Sequence, residues 1–127
     1  MALENGSRPE KVVIMATHGP TDPELATIPF VMACAALASD VEVVMGFQAD
    51  GVCLVHSGEA ATVQAPEFPP LAKLLADFTE LGGKALVCGP CVKSRGITAD
   101  SLVEGAEVVA AARFVAEITS ATACLTY

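Results

Sequence analysis

A chain of 127 residues that is 53% apolar and 17% charged has the length of one domain and enough apolar matter to close a core. So few charges leave little to cover its outside, and part of the apolar surface belongs in a subunit interface. Fifteen acids against seven bases give a net charge of −8, which argues against phosphate-backbone binding as the main activity, because nucleic-acid affinity is built from many Lys and Arg contacts.

The residues leading to Pro9 lack the apolar core of a signal peptide. No apolar stretch reaches the roughly 20 residues that a membrane span needs. Five cysteines, at 34, 53, 88, 91 and 124, are too few and too odd in number for a secreted disulfide scaffold. The sequence therefore points to a cytoplasmic protein with no membrane and no nucleic acid among its partners.

Residues 1–10 are polar and read as a flexible N-terminal segment ahead of a single domain over 11–127. Lys11-Val12-Val13-Ile14-Met15 is a continuous apolar run of the kind a strand buried on both faces shows. A loop over 17–23 follows, and Asp22-Pro23-Glu24 supplies an N-cap, a first-turn proline and a first-turn acid. The helix it opens runs to about Ala38, with Pro29 either kinking it or marking a start near Thr27. Val41 to Met45 reads as a second strand, and Gly51 to Val55, after the Ala49-Asp50-Gly51 turn, as a third.

Residues 56–70 hold Gly58 and three prolines and read as a long excursion. Leu71, Leu74, Leu75, Phe78 and Leu81 form one helical stripe that Gly82-Gly83 ends. Lys84 to Cys88 is a fourth strand, Pro90 to about Arg95 one or two helical turns stopped by Gly96, and Thr98-Ala99-Asp100 a short helical piece. From Glu107 to Ser120 the pattern reads as a helix whose only polar stripe is Arg113, Glu117 and Ser120. Its apolar arc is too wide for one sheet face and marks it for a subunit contact. Ala123 to Tyr127 closes the chain as a fifth strand. Strands alternating with helices predict an α/β fold, a mostly parallel five-stranded sheet with helices on both faces.

The chemistry concentrates in Cys88-Gly89-Pro90-Cys91. A thiol becomes a nucleophile when its thiolate is stabilised, and helix N-termini, cations or a second cysteine all do this. Cys88 ends a strand where a helix is about to begin, with Lys93 and Arg95 close in sequence, and open α/β sheets place their sites at such strand ends. Three chemistries fit the turn: thiol–disulfide exchange, zinc binding and sulfur carriage as a persulfide. Cys-Gly-Pro-Cys is the thioredoxin tetrapeptide, but Val87 stands where thioredoxins have Trp, and no proline follows Pro90 to serve as their later cis-proline. One CxxC gives zinc two ligands, with no second pair to complete the site.

A wider resemblance favours the third chemistry. Val87-Cys88-Gly89-Pro90-Cys91-Val92-Lys93-Ser94-Arg95-Gly96-Ile97 resembles the active-cysteine segment of the DsrE/DsrF/TusD family of sulfur-relay proteins, in which a strand-end cysteine precedes Arg-Gly-Val or Arg-Gly-Ile by seven to nine residues. Gly19-Pro20 after the first strand, the Ala33–Ala38 stretch and the run from Phe47 into Asp50-Gly51-Val52 are similar too. The CxxC and the C-terminal stretch look most like the YchN-type branch. The resemblance implies a flavodoxin-like three-layer domain over about 11–127, a homo-oligomer (often a trimer or hexamer), and Cys88 as the sulfur acceptor with Cys91 modulating or resolving it. Its partners are then sulfur donor and acceptor proteins or small sulfur compounds, with no cofactor and no metal. TusD itself carries Ala in place of Cys91, which keeps a redox or oxidant-sensing role open.

Cys34, Cys53 and Cys124 fall within predicted elements and read as packing residues. His18 and His56 follow predicted strands and are placed to share the edge of Cys88, where a His can lower a thiol's pKa or take its proton. The candidate site is therefore Cys88, Cys91, Lys93, Arg95 and His18. No GxGxxG or Walker pattern points to a nucleotide.

Overall fold

The computed structural model describes residues 9–127, so all but the end of the expected N-terminal segment lies outside the described residues. The chain runs β1 (Lys11–Ala16), α1 (Pro23–Ala38), β2 (Glu42–Phe47), a 3₁₀ helix (Ala49–Val55), a shorter one (Ala60–Thr62), α2 (Leu71–Glu80) and β3 (Lys84–Cys88). It continues through α3 (Gly89–Ser94), a 3₁₀ turn (Ala99–Ser101), β4 (Ala106–Val109), α4 (Ala111–Thr119) and β5 (Ala123–Thr126). The five strands pair in the order β4-β3-β2-β1-β5, every pair parallel.

That order dictates the layers. From β1 to β4 each new strand is added on the same side, so right-handed crossovers put α1, α2 and α3 on one face. The step from β4 back to β5 reverses direction and carries α4 to the opposite face. The alternation of side chains agrees. Ile14, Ala16, Val43, Met45, Phe47, Ala85 and Val87 bury with Phe30, Leu71, Leu74 and Phe78 in the larger core. Val13, Met15, Val44 and Leu86 bury under Phe114 of α4 in the smaller one. The result is a three-layer, flavodoxin-like α/β domain, thickly covered on one side and covered by one short helix on the other.

Local chemistry sets the element ends. Asp22 caps α1 by accepting from the Leu25 N–H at 3.5 Å, and Pro23 fills its first turn. Pro29 lies within this helix rather than opening it. Buried Thr27 donates to the Pro23 carbonyl at 2.6 Å, so no polar atom is stranded there. The α2 stripe buries Leu71, Leu74 and Phe78 while Leu81 stays exposed beyond its end.

Two expected elements are different. Gly51–Val55 is not a strand but part of the 3₁₀ helix Ala49–Val55. Both edges of β2 are already taken, by β1 and β3, so the sheet has no place for it there. Its Val52, Leu54 and Val55 are apolar because they are fully buried, and a short buried run looks the same in either conformation. Likewise Ala106–Val109 is not the start of a helix but the edge strand β4, paired with β3, and the helix begins only at Ala111. Merging the two elements is what made the apolar arc look so wide. Five strands are present as expected, with β4 in place of the 51–55 segment.

Candidate active site at the end of strand β3

Cys88 is at once the last residue of β3 and the residue capping α3, with extended backbone angles of −65° and 119°. Pro90 in the first turn of α3 fits because a proline has no N–H to lose there. The single helical turn from Cys88 to Cys91 brings the two sulfurs to 2.6 Å, where they share a hydrogen bond. Both residues are half-buried.

A second element completes the site from across the sheet edge. The chain leaves β2 through Ala49, whose φ of 51° is left-handed, and its N–H points at Cys91 Sγ at 3.2 Å. The next residue, Asp50, accepts from Arg95 Nη2 at 2.8 Å and Nε at 3.2 Å. Arg95 Nη1 donates to the Cys91 carbonyl at 3.1 Å. Arg95 thus ties the end of α3 to the 48–51 turn, and its guanidinium is spent on oxygen acceptors rather than on a thiol.

The electrostatics of Cys88 follow from this. Burial pushes its thiol above the ordinary cysteine value, and the side-chain contact with Cys91 adds to that push, because Cys88 keeps the proton shared between the two sulfurs. The Cys91 backbone N–H and, more weakly, Arg95 pull the other way without winning. In the folded state Cys88 therefore holds its proton more firmly than a free thiol.

The remaining candidates sit apart. Lys93 is exposed on the other side of α3, where with Gly89, Pro90, Val92, Ile97 and Val108 it lines an open apolar groove of about 680 Å³. His18 does share the edge, because its neighbour Gly19 packs against the Asp50 backbone. Its ring lies 3.4 Å from Thr17 Oγ1, and among the described residues it makes no hydrogen bond to either thiol. His56 follows the 3₁₀ helix rather than a strand and faces Glu59 at 3.7 Å.

Cys53 lies on that helix one turn beyond Asp50, on the same face, because 3₁₀ residues three apart eclipse. Cys34 reaches the Leu74 carbonyl at 3.5 Å between α1 and α2, and Cys124 is exposed on β5. Among the described residues no three His, Cys, Asp or Glu side chains converge closely enough to ligate a metal ion. The functional positions that residue types alone do not disclose are Ala49 and Asp50. Their only trace in the sequence is the Asp50-Gly51-Val52 stretch.

The arrangement offers two thiols in contact at a strand end, one gripped by a backbone N–H, both reachable from solvent. That is a site for sulfur–sulfur bond chemistry.

Among curated proteins, MJ0760 of Methanocaldococcus jannaschii is 33% identical over 105 residues, 83% of this chain and 38% of that protein. MJ0989 of the same organism is 32% identical over 98 residues, 77% of this chain and 82% of that protein. The chain thus spans well under half the length of the first relative and most of the second. Among solved structures, the ychN protein from E. coli superposes with a TM-score of 0.79 at 22% identity, covering 93% of this chain and 99% of that one. MTH1491 from Methanobacterium thermoautotrophicum gives a TM-score of 0.70 at 18% identity over 93% and 99% of the two chains. Both share the fold. The description of the DsrE/DsrF-like family matches residues 10–127, all of the domain and its cysteine turn, and the chain belongs to that family.

Proposed function

We propose that this protein accepts sulfur as a persulfide on Cys88 and passes it on, as a sulfur carrier or sulfurtransferase. The observation that carries the reading is the position of Cys88. It ends a parallel strand at the rim of the sheet, half-exposed, with a second thiol in contact and its distance to Arg95-Gly96-Ile97 intact. Membership of the DsrE/DsrF-like family supports a sulfur-relay role. Proton loss from Cys88 is the demanding step, since its thiol sits above the ordinary value, and a donor that brings a base or a positive charge to the site supplies the help it needs. The donors and acceptors are proteins or small sulfur compounds, met in a reducing cytoplasm where the thiols stay free.

The working unit is a homo-oligomer, a trimer or hexamer. Among the described residues α4 alone covers one face of the sheet, and Val115 and Ile118 on it are left 57% and 36% exposed, while Val108 on the edge strand β4 is 38% exposed towards α3 on the other face. A second reading, thiol–disulfide exchange or oxidant sensing without turnover, is favoured by the contact between the two sulfurs.

Intact mass after exposure to a small organic persulfide separates the two. The carrier reading expects one added sulfur on the wild type and none on Cys88→Ser. A sulfur retained on Cys88→Ser moves the role to another cysteine. A wild type that only loses two hydrogens, with no sulfur adduct at any time, supports the redox reading.

A further inference from the structure

We propose that the pair also acts reductively: Cys91 attacks the inner sulfur of a Cys88 persulfide, expels the outer sulfur as hydrosulfide, and leaves a Cys88–Cys91 disulfide. This rests on the persulfide reading above and adds an activity to it, the reduction of sulfane sulfur to sulfide.

The argument is one of position. A persulfide carries two sulfurs, and which one a nucleophile meets decides the outcome. Attack on the outer sulfur moves it to the attacker, which is transfer. Attack on the inner sulfur breaks the bond between the two and releases the outer one. Cys91 Sγ stands 2.6 Å from Cys88 Sγ, the atom that becomes the inner sulfur, whereas the outer sulfur is added beyond it. The Ala49 N–H at 3.2 Å and the grip of Arg95 on the Cys91 carbonyl hold the attacking thiol in that place. An external acceptor approaches from solvent and finds the outer sulfur instead. The same loaded cysteine thus has two exits, transfer outward or release inward.

The step balances. A small persulfide RS–SH gives its outer sulfur to the Cys88 thiolate and leaves as the thiol RSH. The Cys91 thiolate then forms the S–S bond to Cys88 as the inner–outer bond breaks, and the electron pair of that bond leaves on HS⁻. The sulfane sulfur gains two electrons, and the two cysteine sulfurs lose one each. Hydrosulfide is the conjugate base of an acid stronger than a cysteine thiol, and so departs readily. Return to the starting state requires a dithiol reductant, which exchanges with the Cys88–Cys91 disulfide and ends as its own disulfide. The reaction that follows this one is therefore of the dithiol-reductase class.

The test uses the full chain, wild type, Cys91→Ser and Cys91→Ala, loaded with glutathione persulfide and freed of small molecules. Intact mass is followed without reductant while hydrosulfide is trapped by alkylation. The sulfur adduct should persist on both variants. On the wild type it should disappear at least roughly tenfold faster, as expected of an attacker already in contact. One hydrosulfide should appear per adduct lost, and the chain should end two hydrogens lighter than it began. Equal lifetimes in wild type and variants overturn the proposal, and so does a disulfide that forms with no hydrosulfide. Variants that never take up sulfur overturn the persulfide reading and this inference with it, whereas stable adducts on all three proteins leave the carrier reading standing and overturn this inference alone.

Discussion

Gly51 is the position at which the fold and the site are most tightly coupled. A Cβ added there would stand 2.0 Å from the Ala16 carbonyl oxygen and 2.7 Å from its carbon, backbone atoms at the end of β1 that cannot swing aside. Relieving the overlap means withdrawing the 48–51 turn by about an ångström, the clearance a Cβ needs from such atoms. The Ala49 N–H lies 3.2 Å from Cys91 Sγ and Asp50 lies 2.8 Å from Arg95, so that displacement takes both contacts out of hydrogen-bonding range. Gly51→Ala should cost about 1–3 kcal/mol as an overpacked backbone contact. For a chain of this size that lowers the thermal midpoint by roughly 4–12 °C. Gly82→Ala is the matched control. Its φ of +94° makes an alanine strained by about 1–2 kcal/mol, but nothing lies within 4 Å of the added carbon and the site is untouched. The assay is thermal unfolding combined with the rate at which iodoacetamide labels Cys91, read by peptide mass. Both variants should melt early, and only Gly51→Ala should change the Cys91 rate. A Gly51→Ala protein that melts within a degree of the wild type, or labels at the wild-type rate, refutes the reasoning.

Three further outcomes follow from the same contacts. Thiolate is the form that reacts, and burial with the Cys91 contact raises the Cys88 pKa, so alkylation of Cys88 should lag behind that of a free cysteine until the pH rises further; Cys91→Ala should move the profile down yet leave it above the free thiol, because burial is the larger cause, and an unmoved profile counts against the coupling. Glu117 of α4 accepts from Lys11 of β1 at 2.6 Å and from Arg113 on its own helix at 2.9 Å, and these partners hold its carboxyl below the usual range. Its contribution is thus present above the unfolded carboxylate value and lost as pH falls through the depressed folded one. Glu117→Gln should cost about 1–2 kcal/mol in neutral urea titrations, the gap closing in strong acid; a gap that is the same at both pH values contradicts it. Light scattering should give a mass above the 13.0 kDa of one chain, and Val115→Glu should lower it with little change in midpoint, since that side chain is mostly exposed within one chain; a wild type already at 13.0 kDa removes the case for an oligomer.

Elements whose cause is local were legible in the sequence. Lys11 to Met15, the Asp22-Pro23-Glu24 start of α1 and the Leu71-Leu74-Phe78 stripe each carry their own period or cap, and each folds as read. The two misread segments are those whose conformation depends on what lies beside them in space. Val52, Leu54 and Val55 are strand-like residues, but β1 and β3 have already taken both edges of β2, and only the 3₁₀ turn buries all three. Ala106–Val109 is short and flanked by helix formers, and it becomes a strand because β3 still has a free edge. Swapping these two assignments left the strand count right and the topology incomplete. The single-helix cover of the α4 face comes into view only with the order β4-β3-β2-β1-β5.

The site divides along the same line. The two cysteines announce themselves because three residues span one helical turn, so a strand-end CxxC must bring its sulfurs together whatever else the fold does. Lys93 and Arg95 are equally close in sequence but leave α3 on opposite sides, one into the apolar groove and one onto Asp50, a difference that depends on where the 48–51 turn lies. Ala49 has no side-chain chemistry to read at all. It contributes an N–H, and that N–H finds a sulfur 42 positions along the chain only because β2 and β3 are parallel neighbours whose carboxyl ends lie side by side. In a parallel sheet, residues just past adjacent strands meet by construction. The strand order is therefore the information that turns a lone CxxC into a pair of touching thiols, one held by a backbone N–H, beside an anchoring ion pair.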